Sequence, residues 1–521
     1  VLARPLARAG RRAAGHLLLA FWGCSGQEPV KPATPVVTAS APGAAVSAPL
    51  PRPSAPPVPD APGAVIPRDG PRVYAKARFV WVREAPGDEG WIGYLWLGGS
   101  ARLRDQAPHY GPGCDHWVAI EPRGFVCVDG KRATLDPDDP VLAAIRPFAP
   151  ALERAWPHRY AESRGLPRYE GLPSREEQRR REWDLESHLA RVADARRGEP
   201  IEALRGVDLS PASEPPPLLP ALHPTTHEQH RELKPLSTVA YSREALHDGR
   251  TFLLTADLMW VPKDRVAPYP EVTFHGVVLG RDARLPLAFF RGEDRPQQRR
   301  GAGGEFEPAG GRWRRLSFVE LTGERAEQDG VTYLETRDRG LWVKAEDAVV
   351  PTLARRTPWG APLDGPDTTG RTPAGRATWL EASVMEGWLL AYEGQRPVYA
   401  TMISPGRGGI PVPGKDPLET ASTPVGVFKI TGKFATATMV APHQFIHSDV
   451  PWTQNFSGPH ALHGAYWHDD WGNRMSAGCV NVSPTDGRWL FEFTEPRLPS
   501  GWHGVRWQPA SEPATTFVVH R

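Results

Sequence analysis

Proline stands at 58 of the 521 positions and glycine at 51, and that density constrains the fold more than any single motif. Inside a helix, proline deletes a ladder hydrogen bond and clashes with the preceding turn, and glycine costs about 1 kcal/mol relative to alanine. Long helices are therefore disfavoured over most of the chain, and short strands between many turns remain. The length is too great for one ordinary domain. The expectation is a mainly β, multi-domain protein. An apolar content of 40% with 19 Trp supplies packed cores. A formal net charge of +2 removes the main electrostatic reason to propose nucleic acid as a partner.

Residues 1–24 combine four arginines (Arg4, Arg8, Arg11, Arg12) with a short apolar stretch that ends at Gly23 and Cys24. This order resembles a bacterial lipoprotein signal, with Cys24 as the lipidated residue. The resemblance implies export to the periplasm or cell envelope and membrane contact through a lipid anchor. The apolar stretch is too short to span a bilayer as a helix. Phe21 and Trp22 depart from the usual small and aliphatic residues, and an undefined basic tail is the competing reading. Residues 25–70 are Pro/Ala-rich, as in PLPRPSAPPVPDAPG, with too few large apolar side chains to offset ordering entropy. They read as an extended tether.

Residues 71–140 alternate β-branched and aromatic residues between Gly and Pro (VYAKARFVWVRE, WIGYLWLGG, HWVAIEPRGFVCVDG). The pattern resembles a bacterial SH3-like β module. Cys114 and Cys127 flank HWVAIEPRGFV, which can turn back as a hairpin and pair them; two independent core cysteines are the alternative. Residues 141–235 read as a helical segment and a Pro-rich connector. There Ser174 and Glu177 form a capping box ahead of Leu185, Leu189 and Val192 at helical spacing. Strand signals return over 236–372 as a second, SH3-like β region of scaffold character. His247 and His275 in this region, and His230 just before it, are scattered without ligand-like spacing.

The chemistry concentrates in HGAYWHDDWGNRMSAGCVN, His463 to Asn481. A thiol nucleophile needs a base to form thiolate and N–H donors for the oxyanion it creates. Gly478 permits a strained turn before Cys479. His463 lies sixteen positions upstream (479 − 463), enough for a strand, a loop and a return. Gly464 is placed to offer its carbonyl to the imidazole.

Residues 373–510 resemble the L,D-transpeptidase (YkuD-like) catalytic domain, a β-sandwich whose signature is His-Gly, a loop, then Ser/Thr-His-Gly-Cys-x-Asn/Arg. His463, Gly464, Ser476, Gly478, Cys479 and Asn481 fall in place, with an upstream element from Thr423 to Phe428. Ala477 departs, because the family has histidine there. The resemblance implies cysteine acyl transfer from a peptidoglycan tetrapeptide stem to an amine. Cys479 is then the nucleophile, His463 the base, and the amides near Gly478 and Cys479 the oxyanion donors. Ser476, Ala477, Asn481, Tyr466 and Trp467 are the expected substrate-binding residues, although aromatic core packing competes for Tyr466 and Trp467. No cofactor or metal is expected: a zinc site from His463, His468 and Cys479 matches no structural zinc spacing. The rival function is a cell-wall binding protein whose catalytic domain has decayed at Ala477.

Overall fold

The structure is a computed structural model that describes residues 21–22, 70–212, 215–217, 219, 231–363, 377–440 and 445–521. Cys24, the rest of the signal-like segment and the 25–69 tether lie outside the described residues.

The largest sheet carries the site. Its strands are β1 (Val80–Val82), β2 (Gly93–Leu95), β3 (Gly432–Val440), β4 (Ile446–Ser457), β5 (His460–Gly464), β6 (Val480–Val482) and β7 (Gly504–Arg506), in the order β1-β2-β7-β3-β4-β5-β6. Phe21–Trp22 adds a short parallel pairing to Met439 and Val440. A second sheet runs in the order Val277–Val278, Arg396–Met402, Trp388–Glu393, Thr378–Ser383, Thr516–His520, Gly426–Lys429. In TWLEAS and WLLAYE almost every side chain is buried, the polar Thr378, Glu381 and Ser383 included. Leu380, Leu389, Tyr399, Phe456, Leu462, Val480 and Phe517 fill the space between the sheets.

Helix α1 (Pro484–Phe493) completes this sandwich. Ser483 Oγ accepts from Asp486 N at its start, and Pro484 occupies the first turn. Trp489, Leu490 and Phe493 turn into the core. The expected boundary at 510 is too early, since Thr516–His520 pairs with both Thr378–Ser383 and Gly426–Lys429 inside the second sheet.

The upstream modules are not separable beads. Gly504 pairs with Tyr94 and Val505 with Gly93, so two strands of the 71–140 region continue the C-terminal sheet. A Cβ at Gly93 would lie 2.3 Å from the Trp502 ring, and one at Gly504 would lie 2.3 Å from Tyr94. Trp502 and Val505 share a core with Val73, Val82, Ile92 and Val126. Within the same region a disulfide joins Cys114 to Cys127 across the expected hairpin, with Cα atoms 5.9 Å apart.

The division at residue 235 also fails. Arg159–Ser163, expected in a helical segment, lies inside a five-stranded sheet between Thr238–His247 and Val266–Pro268. Helices Arg175–Arg181 and Leu185–Arg196 do form, and Ser174 caps the first. They dock through buried Arg250, which donates to Glu182 and Asp264. Residues 287–344 make a further six-stranded sheet with its own core of Phe290, Trp313, Leu334 and Val343.

His503 marks the joint between the modules. Its ring stacks on Trp96 at 4.5 Å, and Nε2 accepts from Thr436 N at 3.2 Å. Burial pushes its pKa down to about 3, as it does for His447 and His468. Unfolding returns these imidazoles to about 6.5, so the unfolded chain binds more protons between those values. The contribution of these imidazoles to stability is therefore complete above about pH 6.5 and lost as pH falls toward 3. Thermal melts from pH 8 to pH 4.5 are expected to show this fall, with a shallower slope in His503→Gln. An unchanged slope would mean that His503 does not contribute.

Candidate active site

Strands β5 and β6 run parallel with Leu462 opposite Val480, His463 opposite Asn481 and Gly464 opposite Val482. One step back in this register places Cys479 beside Ala461, whose N–H lies 3.5 Å from Sγ. Paired residues share a face and alternate ones return to it. Ala461, His463, Cys479 and Asn481 therefore project from the same side. Cys479 is fully buried among Ala421, Met439, Val450, Ala461 and Ala477, with Trp467 packed against the group.

His463 is oriented by the residue that follows it. Its Nδ1 lies 3.2 Å from Gly464 O, and a carbonyl only accepts, so Nδ1 carries the proton. Nε2 is left as a buried bare acceptor with no partner among the described residues. An imidazole in this tautomer can take a proton. Gly464 also sits where a Cβ would come within 3.2 Å of Pro451 and Pro484.

The turn before the cysteine is closed by Ser476. Its Oγ accepts from Gly478 N at 3.0 Å and donates to Cys479 O at 2.6 Å. Gly478 has φ +135°, and a Cβ there would lie 2.8 Å from His460 Nε2 and Ser422 O. Only glycine fits this conformation in this space. Because Gly478 N–H is committed to Ser476, it is not available for the oxyanion role expected of it.

The upstream element braces the same turn. Thr423 Oγ1 accepts from Gly406 N at 2.8 Å, while Arg407 N donates to Ser476 O at 2.8 Å. The Gly-rich PGRGG segment thus lies between Thr423 and the nucleophile turn.

His468 takes a fixed tautomer. Nδ1 accepts from Asp470 N at 3.3 Å, so Nε2 carries the proton and meets the Asn481 side-chain amide at 3.1 Å. That pattern calls for the Asn481 oxygen to face the ring. Asn481 thereby ties the 468–470 loop to the strand beside His463. His468 faces Asn481, and among the described residues no three His, Cys, Asp or Glu side chains converge as metal ligands.

Two expected substrate residues part company. Tyr466 is buried and stacks on Tyr160 at 3.7 Å, its hydroxyl donating to Ser448 O and meeting Thr238 Oγ1 at 2.6 Å. It is a joint between modules and does not line a groove. Trp467 is half-buried, with its ring 5.7 Å from His463 and 4.3 Å from His447. Ala477 is buried against Cys479. His447 is the member of this cluster that no sequence signal marked, since it belongs to no motif and only burial identifies it. Cys114 and Cys127 belong to the hairpin described above.

The family described as YkuD, the L,D-transpeptidase catalytic domain, matches residues 367–504. No curated protein matches the chain. Solved structures that resemble it include an L,D-transpeptidase from Mycobacterium smegmatis, at 13% identity over 52% of this chain and 90% of that one, with a TM-score of 0.21. The catalytic domain of the E. faecium L,D-transpeptidase is 20% identical over 27% of this chain and 96% of that one, TM-score 0.20. For residues 123–326 of the L,D-transpeptidase from Xylanimonas cellulosilytica the figures are 22%, 29% and 63%, TM-score 0.18. The chain thus spans less than two thirds of that last structure.

Proposed function

Starting from a YkuD-type domain at residues 367–504, we propose that this chain is a peptidoglycan L,D-transpeptidase of the cell envelope. The observation that carries the reading is the pairing of a bare, buried His463 Nε2 with Cys479 on the same face of adjacent parallel strands. The Cys479 thiol passes its proton to His463 Nε2, and Sγ attacks the carbonyl that precedes the terminal D-alanine of a tetrapeptide stem. The C=O pair moves onto oxygen. Collapse of the tetrahedral intermediate breaks the C–N bond, and His463 returns the proton to the departing amine. The resulting thioester is resolved by an acceptor amine, which forms a new amide and regenerates the thiol. Ser476 and Gly478 hold the turn that presents Sγ. The Asn481–His468 pair and Trp467 shape the wall beside the base.

Mass spectrometry of the full chain incubated with tetrapeptide fragments tests this. Expected are a Cys479 thioester lighter than the whole stem by D-alanine, free D-alanine, and a stem-to-stem product. Absence of adduct and product together would leave the protein as a wall-binding module.

A further inference from the structure

The nucleophile turn has one oxyanion amide fewer than expected. Its Gly478 N–H is taken by Ser476 Oγ, which leaves the Cys479 N–H of the expected pair, and the negative charge that develops on the attacked carbonyl calls for a second donor beside it. A candidate donor stands on β4. His447 pairs with Met439 across the β3–β4 ladder, which puts both side chains on one face, and Met439 belongs to the cluster that surrounds Cys479. Its ring stacks on Trp467 at 4.3 Å, and Trp467 in turn lies against His463 and the Cys479 cluster.

The hydrogen bonding of His447 is what sets it apart. It is 5% exposed, and neither Nδ1 nor Nε2 has a partner among the described residues. A neutral imidazole carries one N–H donor and one acceptor. Burying both unpaired is costly, and such groups in a native chain call for a specific reason. The other imidazoles of the site each have at least one ring nitrogen bonded: His463 by Gly464 O, His468 by Asp470 N and Asn481, and His460 by Ser457 O, with Nε2 of His463 and of His460 left bare.

Resting on the transpeptidase reading above, we propose that the N–H of His447 is the oxyanion donor for the carbonyl that Cys479 attacks. His447 is then a catalytic residue, and it gives a hydrogen bond without giving up its proton. Sγ forms its bond to carbon, the carbonyl pair moves to oxygen, and that oxygen is met by the imidazole N–H. The pair returns when the C–N bond breaks, while His463 alone carries the proton to the leaving amine. The neighbourhood suits this division. Burial and the adjacent His463 keep His447 uncharged at neutral pH, and a neutral imidazole can stabilise an oxyanion without competing as an acid or base. Trp467, Met439 and His463 lie against it, and among the described residues no carboxylate shifts its titration.

Acylation of the full-length protein by a carbapenem and by tetrapeptide, followed by mass, tests the assignment in two variants. His447→Phe keeps an aromatic ring on Trp467 and removes the donor. It is expected to lower the maximal acylation rate about 100-fold or more with little change in half-saturating substrate. His447→Gln keeps an N–H and is expected to recover at least tenfold of that loss. The pH at which acylation is half-maximal should stay at the wild-type value in both, because His447 gives a hydrogen bond and transfers no proton. A Phe variant within twofold of wild type, a Gln variant no better than Phe, or a loss confined to half-saturation overturns the proposal. Should His447→Phe fail to fold, the acyl carbonyl stretch of the wild-type carbapenem adduct decides. It should lie below that of a free thioester and rise in the Gln variant, and equal frequencies overturn the assignment. A wild-type chain that never acylates removes the transpeptidase reading itself, which separates that failure from this one.

Discussion

Cys479→Ala is expected to abolish covalent labelling by a carbapenem and all product from tetrapeptide, while the protein still folds. The thiolate is the only group at this turn that can form the acyl bond, so no partial activity survives its removal. The fold survives because the position tolerates a methyl: Cys479 already packs among Ala421, Ala461 and Ala477. Loss of the sulfur leaves a small void worth on the order of 1 kcal/mol. His463→Ala should behave differently. With no acceptor at Nε2, the thiol must ionise unaided, which higher pH favours. The rate defect should therefore be large at pH 6, about 100-fold or more, and shrink at pH 9. Labelling of Cys479→Ala would move the nucleophile elsewhere. A pH-independent defect in His463→Ala would give the histidine a structural role only.

These residues were legible in the sequence because their chemistry depends on local order. Glycine before cysteine, serine two residues further back and glycine after histidine each leave a mark that spacing reveals, and the register of β5 and β6 then brings the two segments together. For Tyr466 local order leaves groove wall and core packing both open: it neighbours Trp467 in the chain, and the partners that place it in a packed joint, Tyr160 and Thr238, are more than 200 positions away. His447 has no motif at all, and its orphaned ring distinguishes it from His275, whose Nδ1 meets Gly276 O. The strand pattern and the Cys114–Cys127 pairing followed from alternation and a short hairpin. The module boundaries did not. A three-residue strand such as GYL specifies no partner, and nothing in its composition says that it pairs with a segment some 410 residues later.

That non-local pairing carries the second large effect. Excision of residues 70–268, which a bead-on-string reading would treat as removal of a wall-targeting module, is expected to leave residues 269–521 insoluble or without fixed tertiary structure. Four kinds of contact go at once. Strand β7 loses β2 and becomes an edge of unpaired backbone groups beside exposed Trp502 and Val505. Phe434 loses Tyr94 and Trp91. Tyr466 loses the Tyr160 stack and the Thr238 hydroxyl, and Trp452 Nε1 loses Ala155 O. Asp449, buried at the end of this joint, loses its ion pair with Arg78. Each large apolar side chain returned to water costs about 1.5–3 kcal/mol, and a buried carboxylate left without its cation costs about 3–5 kcal/mol. Their sum equals or exceeds the whole stability of an ordinary domain, about 5–15 kcal/mol. Activity on intact wall and on soluble fragments should therefore vanish together. Near-UV circular dichroism and carbapenem labelling of the excised protein check this. A monomeric product that melts cooperatively and still labels would show that the C-terminal sandwich is self-sufficient and that the shared sheet is an attachment.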